Sequence, residues 1–391
     1  MSPPPPPKTS RWTWRSKSFR GYVYQLLAIT IIGLIIWLLA HNTVVNMRNR
    51  GIQSGFDFLF STAGFDIGEH LIPYNSDQPY WRAFLVGVIN TLRVSALGIV
   101  LTTILGALLG VGRFSRNALV RGICSAYVEI FRNIPLLLQL LMWYLMLTQF
   151  LPNNLDPLHV GTIFVSKGGI NFPMPVWNSN YVWMLAGLIG GVFLGWCYRR
   201  WATAKFEQTG VPRSMFWVPL LVLLLAITMG WLFGGAPADM DFPVKGEFAI
   251  EHGGAITPEF LAIWLGLTFY TASFVAEVVR AGIQSVPAGQ SEAAQALGVG
   301  RGTLMRLIVL PQAMRVIIPP LTNQYLNLTK NSSLAVAIGY PDIVSISNTA
   351  LNQTGRAVEC IAIVMLIYLI LSLTTSIVMG WYNKRAAIRE R

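Results

Sequence analysis

Eight apolar stretches recur along the chain, at residues 22–40, 84–110, 134–150, 181–198, 216–233, 260–279, 317–338 and 358–380, each flanked by polar or charged segments. Crossing a bilayer as a helix takes about 20 predominantly apolar residues, and in lipid only helices and closed barrels satisfy the backbone. The pattern therefore predicts an all-α membrane protein with about eight transmembrane helices. The third stretch can be extended back toward Ala126, and the seventh is unusually polar. No small-residue cleavage site follows Ala40, so the first stretch is predicted to remain a helix rather than be removed as a signal peptide.

The intervening segments sort by charge. If the N-terminus lies inside, the inner segments hold 20 of the 29 lysines and arginines, the outer loops hold six, and Arg93, Arg132 and Lys330 fall within spans. Positive-inside topology then places both termini in the cytoplasm. The acids lean outward and all four histidines are outside, with no HExxH pattern. Residues 1–21, which open on a five-proline run, and residues 382–391 are predicted to be basic cytoplasmic tails. Loops 41–80, 151–180 and 234–259 are rich in Gly, Pro, Asn and Asp and too short to be separate domains. Glycines spaced by four (Gly106 and Gly110; Gly187, Gly191 and Gly195; Gly230 and Gly234) are expected to be helix-packing faces, the alternative being a pore lining.

Composition narrows the chemistry. With 53% hydrophobic and 12% charged residues and a mean hydropathy of +0.52, the chain is unlike a soluble enzyme. Its net charge of +12 punctuates apolar runs instead of forming one basic face, which argues against nucleic acid. Three distant cysteines offer neither a disulfide framework nor a zinc knuckle, and no metal or cofactor is expected in the chain. No GxxxxGK[ST] string is present, so ATP hydrolysis is not expected here. Gly298, Gly300 and Gly302 are spaced GxGxG without the strand and acid of a dinucleotide site. Paired intramembrane carboxylates of the proton-coupled kind are also missing; Glu129, Glu277 and Glu359 stand apart.

The inner loop at 287–311 is the most informative. Pro287 near a helix start, an alanine-rich stretch and Gly298 at a C′ position predict a helix, a sharp turn and a second helix running to Pro311. Its residues read Glu292-Ala293-Ala294, three more, Gly298, nine more, then Ile308, Val309, Leu310 and Pro311. This string resembles, at every fixed position, the EAA loop (EAA, three, G, nine, IxLP) of integral-membrane subunits of binding-protein-dependent ABC importers. The strings Phe131-Arg-Asn-Ile-Pro-Leu-Leu, Ala276 to Gln290, and Lys330-Asn-Ser-Ser-Leu look like the polar amino acid (histidine and glutamine type) branch. The likeness covers 84–150 and 260–381. The first span and the insert 151–259, with two spans, fit the longer permeases of general L-amino-acid importers.

The resemblance implies a type I importer permease with a core of five helices plus three additional helices. It implies translocation of L-amino acids from periplasm to cytoplasm across a bacterial inner membrane. It also implies two separate ATPase subunits that use ATP and Mg, a second permease as heterodimer partner, and a periplasmic amino-acid-binding protein. In that family the EAA loop docks on the ATPase, which assigns coupling to Glu292, Ala293, Ala294, Gly298, Ile308, Leu310 and Pro311. The residues themselves leave a second reading of Glu292, an ion pair within the loop to Arg301, Arg306 or Arg315.

Polar residues at membrane depth complete the candidates. Asn323, Asn327 and Lys330 share one helix face, and a mid-bilayer lysine costs at least ~2.5 kcal/mol. Arg132 and Asn133 lead into span three, and Glu277 with Arg280 forms an i, i+3 pair. These groups either satisfy one another or line a substrate path, where a zwitterion needs both an acid and a base. Two rival functions remain at this level: an ATPase-independent carrier or channel for small polar solutes, and a membrane-embedded enzyme, which lacks any recognisable nucleophile or paired acid.

Overall fold

The computed structural model describes residues 14, 16–49, 51, 54–211, 213–247 and 250–386. The proline run at 3–7 and the last five residues lie outside them. Twelve helices are described: α1 (Lys17–Asn49), α2 (Tyr80–Gly112), α3 (Ala118–Asn133), α4 (Leu136–Phe150), α5 (Tyr181–Thr209), α6 (Trp217–Phe233), α7 (Pro258–Gln284), α8 (Ala288–Ala296), α9 (Arg301–Leu304), α10 (Leu310–Asn331), α11 (Ile343–Thr354) and α12 (Ala357–Ala386). Among the described residues, six helical segments are long and apolar enough to cross a membrane: α1, α2, α5, α7, the run from α9 through α10 to Ile338, and α12.

Each of the eight predicted stretches falls on a helix, but two are corrected. The third is not one straight crossing. α3 and α4 qualify only as a pair bent by 106°, because Pro135 drives Ile134 out of the helical region, to φ −92 and ψ 126. The fifth, α6, has 17 residues, about 26 Å of helix at 1.5 Å per residue, and falls short of the six. The loop prediction is also amended. The second helix of 287–311 does not end at Pro311; it passes through a π-helical turn, Met305–Val309, straight into α10. There the Leu310 N–H reaches back five residues to the Met305 carbonyl, and that wider turn admits a proline at 311 where an α-helical ladder would clash.

Two compact units are present. The first comprises Met1–Arg93, Tyr325–Val336 and Pro341–Arg391. Its core joins Phe58, Ile67, Tyr80 and Phe84 to Ile343, Ile346, Ala350 and Cys360. Gly87 permits the approach of α2 to α11, since a Cβ there would lie 3.0 Å from Ile343 Cα. Polar pairs secure the segment before α2. Arg356 donates to both carboxylate oxygens of Asp57, at 2.7 and 3.0 Å, the Gly55 N–H donates to Glu359 at 2.7 Å, and Arg93 pairs with Glu69. Asp342 is fully buried and caps α11 by accepting from the Ser345 N–H at 2.8 Å. Burial pushes its carboxyl up to about 7, against the opposing pull of backbone N–H donors.

The second unit comprises Val94–Gln324 and Ala337–Tyr340. The latter half of α2 lies against α7 because Gly106 and Gly110 have no side chains; a Cβ on either would come within 2.5 Å of Val275 or 2.8 Å of the Ala276 carbonyl. Tyr127 of α3 donates to the Phe269 carbonyl of α7 at 2.9 Å. α5 and α6 form a hairpin on Gly187, Gly191 and Gly230, where a Cβ would meet opposing backbone at 2.3 to 3.0 Å. The glycine spacing thus marks packing faces. At one end of these helices the loops form small sheets: β1 (Leu158–Val160), β2 (Ile163–Ser166), β3 (Gly169–Phe172) and β8 (Gly254–Ile256) pair antiparallel in that order. Two-residue pairs β4 (Met174–Pro175) with β5 (Met240–Asp241), and β6 (Val244–Lys245) with β7 (Ile250–Glu251), complete the lobe.

Candidate functional site

The predicted loop forms a short, self-closed helix. α8 ends in a Schellman arrangement: the Gly298 N–H bonds to the Gln295 carbonyl at 2.9 Å, and the Val299 N–H to the Ala294 carbonyl at 3.0 Å. Gly298 has φ +74, and a Cβ there would meet nothing within 4 Å. The glycine is therefore required by backbone conformation and not by space. Ala294 is turned inward onto Leu304 and Val309, with Val286, Val299 and Ile308 packed around it. Glu292, Ala293 and Leu297 are exposed, Glu292 on α8 itself. The motif residues thus divide in two: Ala294, Ile308 and Val309 hold the loop together, while Glu292, Ala293 and the exposed Leu310 lie on its surface.

Above the loop, α7 carries a polar node. Arg113, just past α2, donates to Glu277 Oε2 at 2.6 Å; Arg280 Nε donates to both Glu277 oxygens at 3.1 Å; Arg132 approaches to 3.9 Å. One carboxylate thus faces three guanidiniums from three parts of the chain. Arg132 also lies over the Phe274 ring at 5.3 Å. A groove of about 280 Å³ opens here, with Arg132, Phe274, Glu277, Pro320 and Gln324 in its lining.

The remaining candidates sit elsewhere. Asn133 turns onto its own helix, donating to the Glu129 carbonyl at 2.7 Å. Asn323, Asn327 and Lys330 lie exposed along one face of α10, and the groove takes Gln324 from that helix rather than Asn323. The structure therefore brings together Arg132 and Glu277, and leaves the α10 stripe as an uncovered polar face.

Residues 98–388 match the family described as binding-protein-dependent transport system inner membrane component. The chain belongs to this family. Its relatives include the general L-amino acid transport system permease protein AapQ of Rhizobium johnstonii, 43% identical over 97% of this chain and 96% of its own length. The putative amino-acid ABC transporter permease protein YhdX of Escherichia coli is 44% identical over 97% of both chains. The glutamate/glutamine/aspartate/asparagine transport system permease protein BztB of Rhodobacter capsulatus is 40% identical over 95% of both.

Two residues of this binding-protein-dependent transport component escaped the sequence reading. Arg113 counted only as an inner-loop charge, and nothing local marks its pairing with a glutamate 164 positions away. Gln139, 1% exposed, donates to the carbonyls of Phe131 and Ile134 at 2.9 Å and so ties the two sides of the α3–α4 bend together. The Ile134-Pro135 pair is the sequence signal that could have marked this break, and it went unread.

Proposed function

We propose that this transport component is a permease subunit of an ATP-driven importer that moves L-amino acids inward, coupled to separate ATPase subunits through α8. The observation that carries the reading is the arrangement of that loop: a helix closed by Gly298, seated on Ala294, with Glu292, Ala293 and Leu297 exposed on its surface. The names borne by AapQ, YhdX and BztB, all amino-acid permeases, support the substrate class. The concentration of lysine and arginine on the loop side supports cytoplasmic termini in an inner membrane.

The partners follow from the same reading: a dimer of ATPases using ATP and Mg, a periplasmic amino-acid-binding protein, and a second permease completing a heterodimer. The exposed stripe Asn323, Asn327 and Lys330 is assigned to the surface facing that second permease, because lipid would penalise it. Asn323, Asn327 and Lys330 are assigned as substrate-path residues, and so separately are Arg132, Asn133 and Glu277, Arg132 offering a cation to a carboxylate and Glu277 an anion to an ammonium. The five-helix core and the insert 151–259 are likewise assigned here on the likeness to longer permeases.

The test is a mild-detergent pull-down of the full chain from its native membrane, with identification and stoichiometry of what accompanies it, followed by uptake in vesicles. A P-loop ATPase and a second EAA-bearing permease, with uptake that needs ATP, are expected. Isolation of the chain alone, together with uptake that persists without any ATPase, would overturn the proposal in favour of an autonomous carrier.

A further inference from the structure

The α5–α6 hairpin holds a second cavity remote in sequence from the coupling loop. Between the halves of α5 and α6 nearest their connection lies a groove of about 350 Å³, lined by Gly191, Gly195, Arg199, Pro219 and Leu223 among others. Its walls are apolar apart from Arg199. That residue lies 18 positions beyond the start of α5, about 27 Å along the helix, which is the edge of a hydrocarbon core about 30 Å thick. An apolar slot within one leaflet therefore ends on a guanidinium at headgroup level.

The surrounding charge has one sign. Residues 181–238 contain Arg199, Arg200, Lys205 and Arg213 against the single acid Glu207, and among the described residues none of these four bases pairs with an acid. Arg199 is held by its Nε, which donates to the Met215 carbonyl at 3.2 Å. Arg200 lies over the Trp196 ring at 4.1 Å and Arg213 over Trp201 at 4.5 Å. Cations parked on indole faces are the arrangement of a membrane interface; Arg199 lines the groove itself and Arg200 lies over its wall residue Trp196. A packing helix, about 10–12 Å across, is too wide for a slot of this volume; a hydrocarbon chain is not.

We propose that this groove binds one anionic phospholipid, its acyl chain lying along Gly191 and Gly195 and its phosphate held by Arg199, with Arg200 on the adjoining Trp196 adding to the basic rim. A zwitterionic lipid carries its own compensating cation, so the uncompensated positive rim selects a net negative headgroup.

The test is native mass spectrometry of the full chain with its associated subunits, delipidated and then offered equal phosphatidylglycerol and phosphatidylethanolamine. One retained phosphatidylglycerol per chain is expected, enriched on the order of ten-fold over phosphatidylethanolamine. Arg199→Gln with Arg200→Gln abolishes the enrichment. Val192→Trp, which fills the slot and leaves the arginines in place, abolishes retention. Equal retention of the two lipids, or wild-type retention in both variants, would overturn the proposal. Displacement of the lipid by millimolar inorganic phosphate would overturn it too, since the site would then hold a free anion.

Discussion

Val299 donates its backbone N–H to the Ala294 carbonyl at 3.0 Å, so the residue after the glycine closes back on the last alanine of the EAA triplet. The bond exists only because Gly298 takes φ +74 between them. An L-residue with a Cβ pays roughly 1–2 kcal/mol for that conformation, while asparagine tolerates it better. The motif's spacing is thus a statement about one hydrogen-bonded turn.

Gly298→Asp and Glu292→Lys are expected to leave the protein inserted and the transmembrane helices intact, because both side chains point into open space. ATP hydrolysis and uptake should become uncoupled in each, and Gly298→Asn should retain more uptake than Gly298→Asp. Parallel measurement of ATPase rate and substrate accumulation in vesicles checks this; unimpaired uptake in both variants refutes the coupling role.

Glu277 is the shared counter-ion of three arginines, of which two, Arg113 and Arg280, are 16% and 29% exposed. Glu277→Gln leaves those charges facing one another without a counter-ion. A loss of about 1–2 kcal/mol is expected, since hydrogen bonds to charged groups are worth more than neutral ones but partial exposure screens them. Glu277→Asp should recover part of it. Thermal unfolding of the detergent-solubilised chain reads the effect, and an unchanged melting temperature in Glu277→Gln would dismiss the node as structural.

Asp342 has its carboxyl pushed up to about 7 by burial, from an ordinary value of 3.8. The folded chain therefore holds a proton that the unfolded chain has already released, so the stability contribution of this site is fully present below about 4 and declines as pH rises through about 7. Asp342→Asn keeps a capping oxygen for the Ser345 N–H and cannot titrate. Unfolding profiles between pH 4 and 8 should show a flatter slope in Asp342→Asn than in wild type; parallel slopes contradict the assignment.

Gly187→Leu and Gly230→Leu place side chains where a Cβ alone would meet opposing backbone oxygens at 2.3 Å. The hairpin must separate, with an expected cost of about 1–3 kcal/mol. At Gly190 a Cβ meets nothing within 4 Å, so Gly190→Ala should be neutral or slightly stabilising. Cysteine cross-linking across α5 and α6 distinguishes the two outcomes.

Sequence periodicity was sufficient to locate the apolar helices, because a transmembrane segment must satisfy its own backbone locally and announces itself by length and hydropathy. The C′ glycine at 298 and the i, i+3 pair of Glu277 with Arg280 were legible for the same reason, each depending on neighbours within a turn. The polar residues of α10 could be put on one face by helical spacing, but which of them meets the groove was not visible. Gln324 lines it and Asn323 does not, since that depends on how α10 lies against α7. Arg113 joins Glu277 across 164 residues, the α3–α4 bend is tied by a buried Gln139, and the second loop helix runs on through a π turn past Pro311. In each case the deciding contact lies on another element or in a change of hydrogen-bond register. A local pattern carries no information about either until packing has brought the partners together.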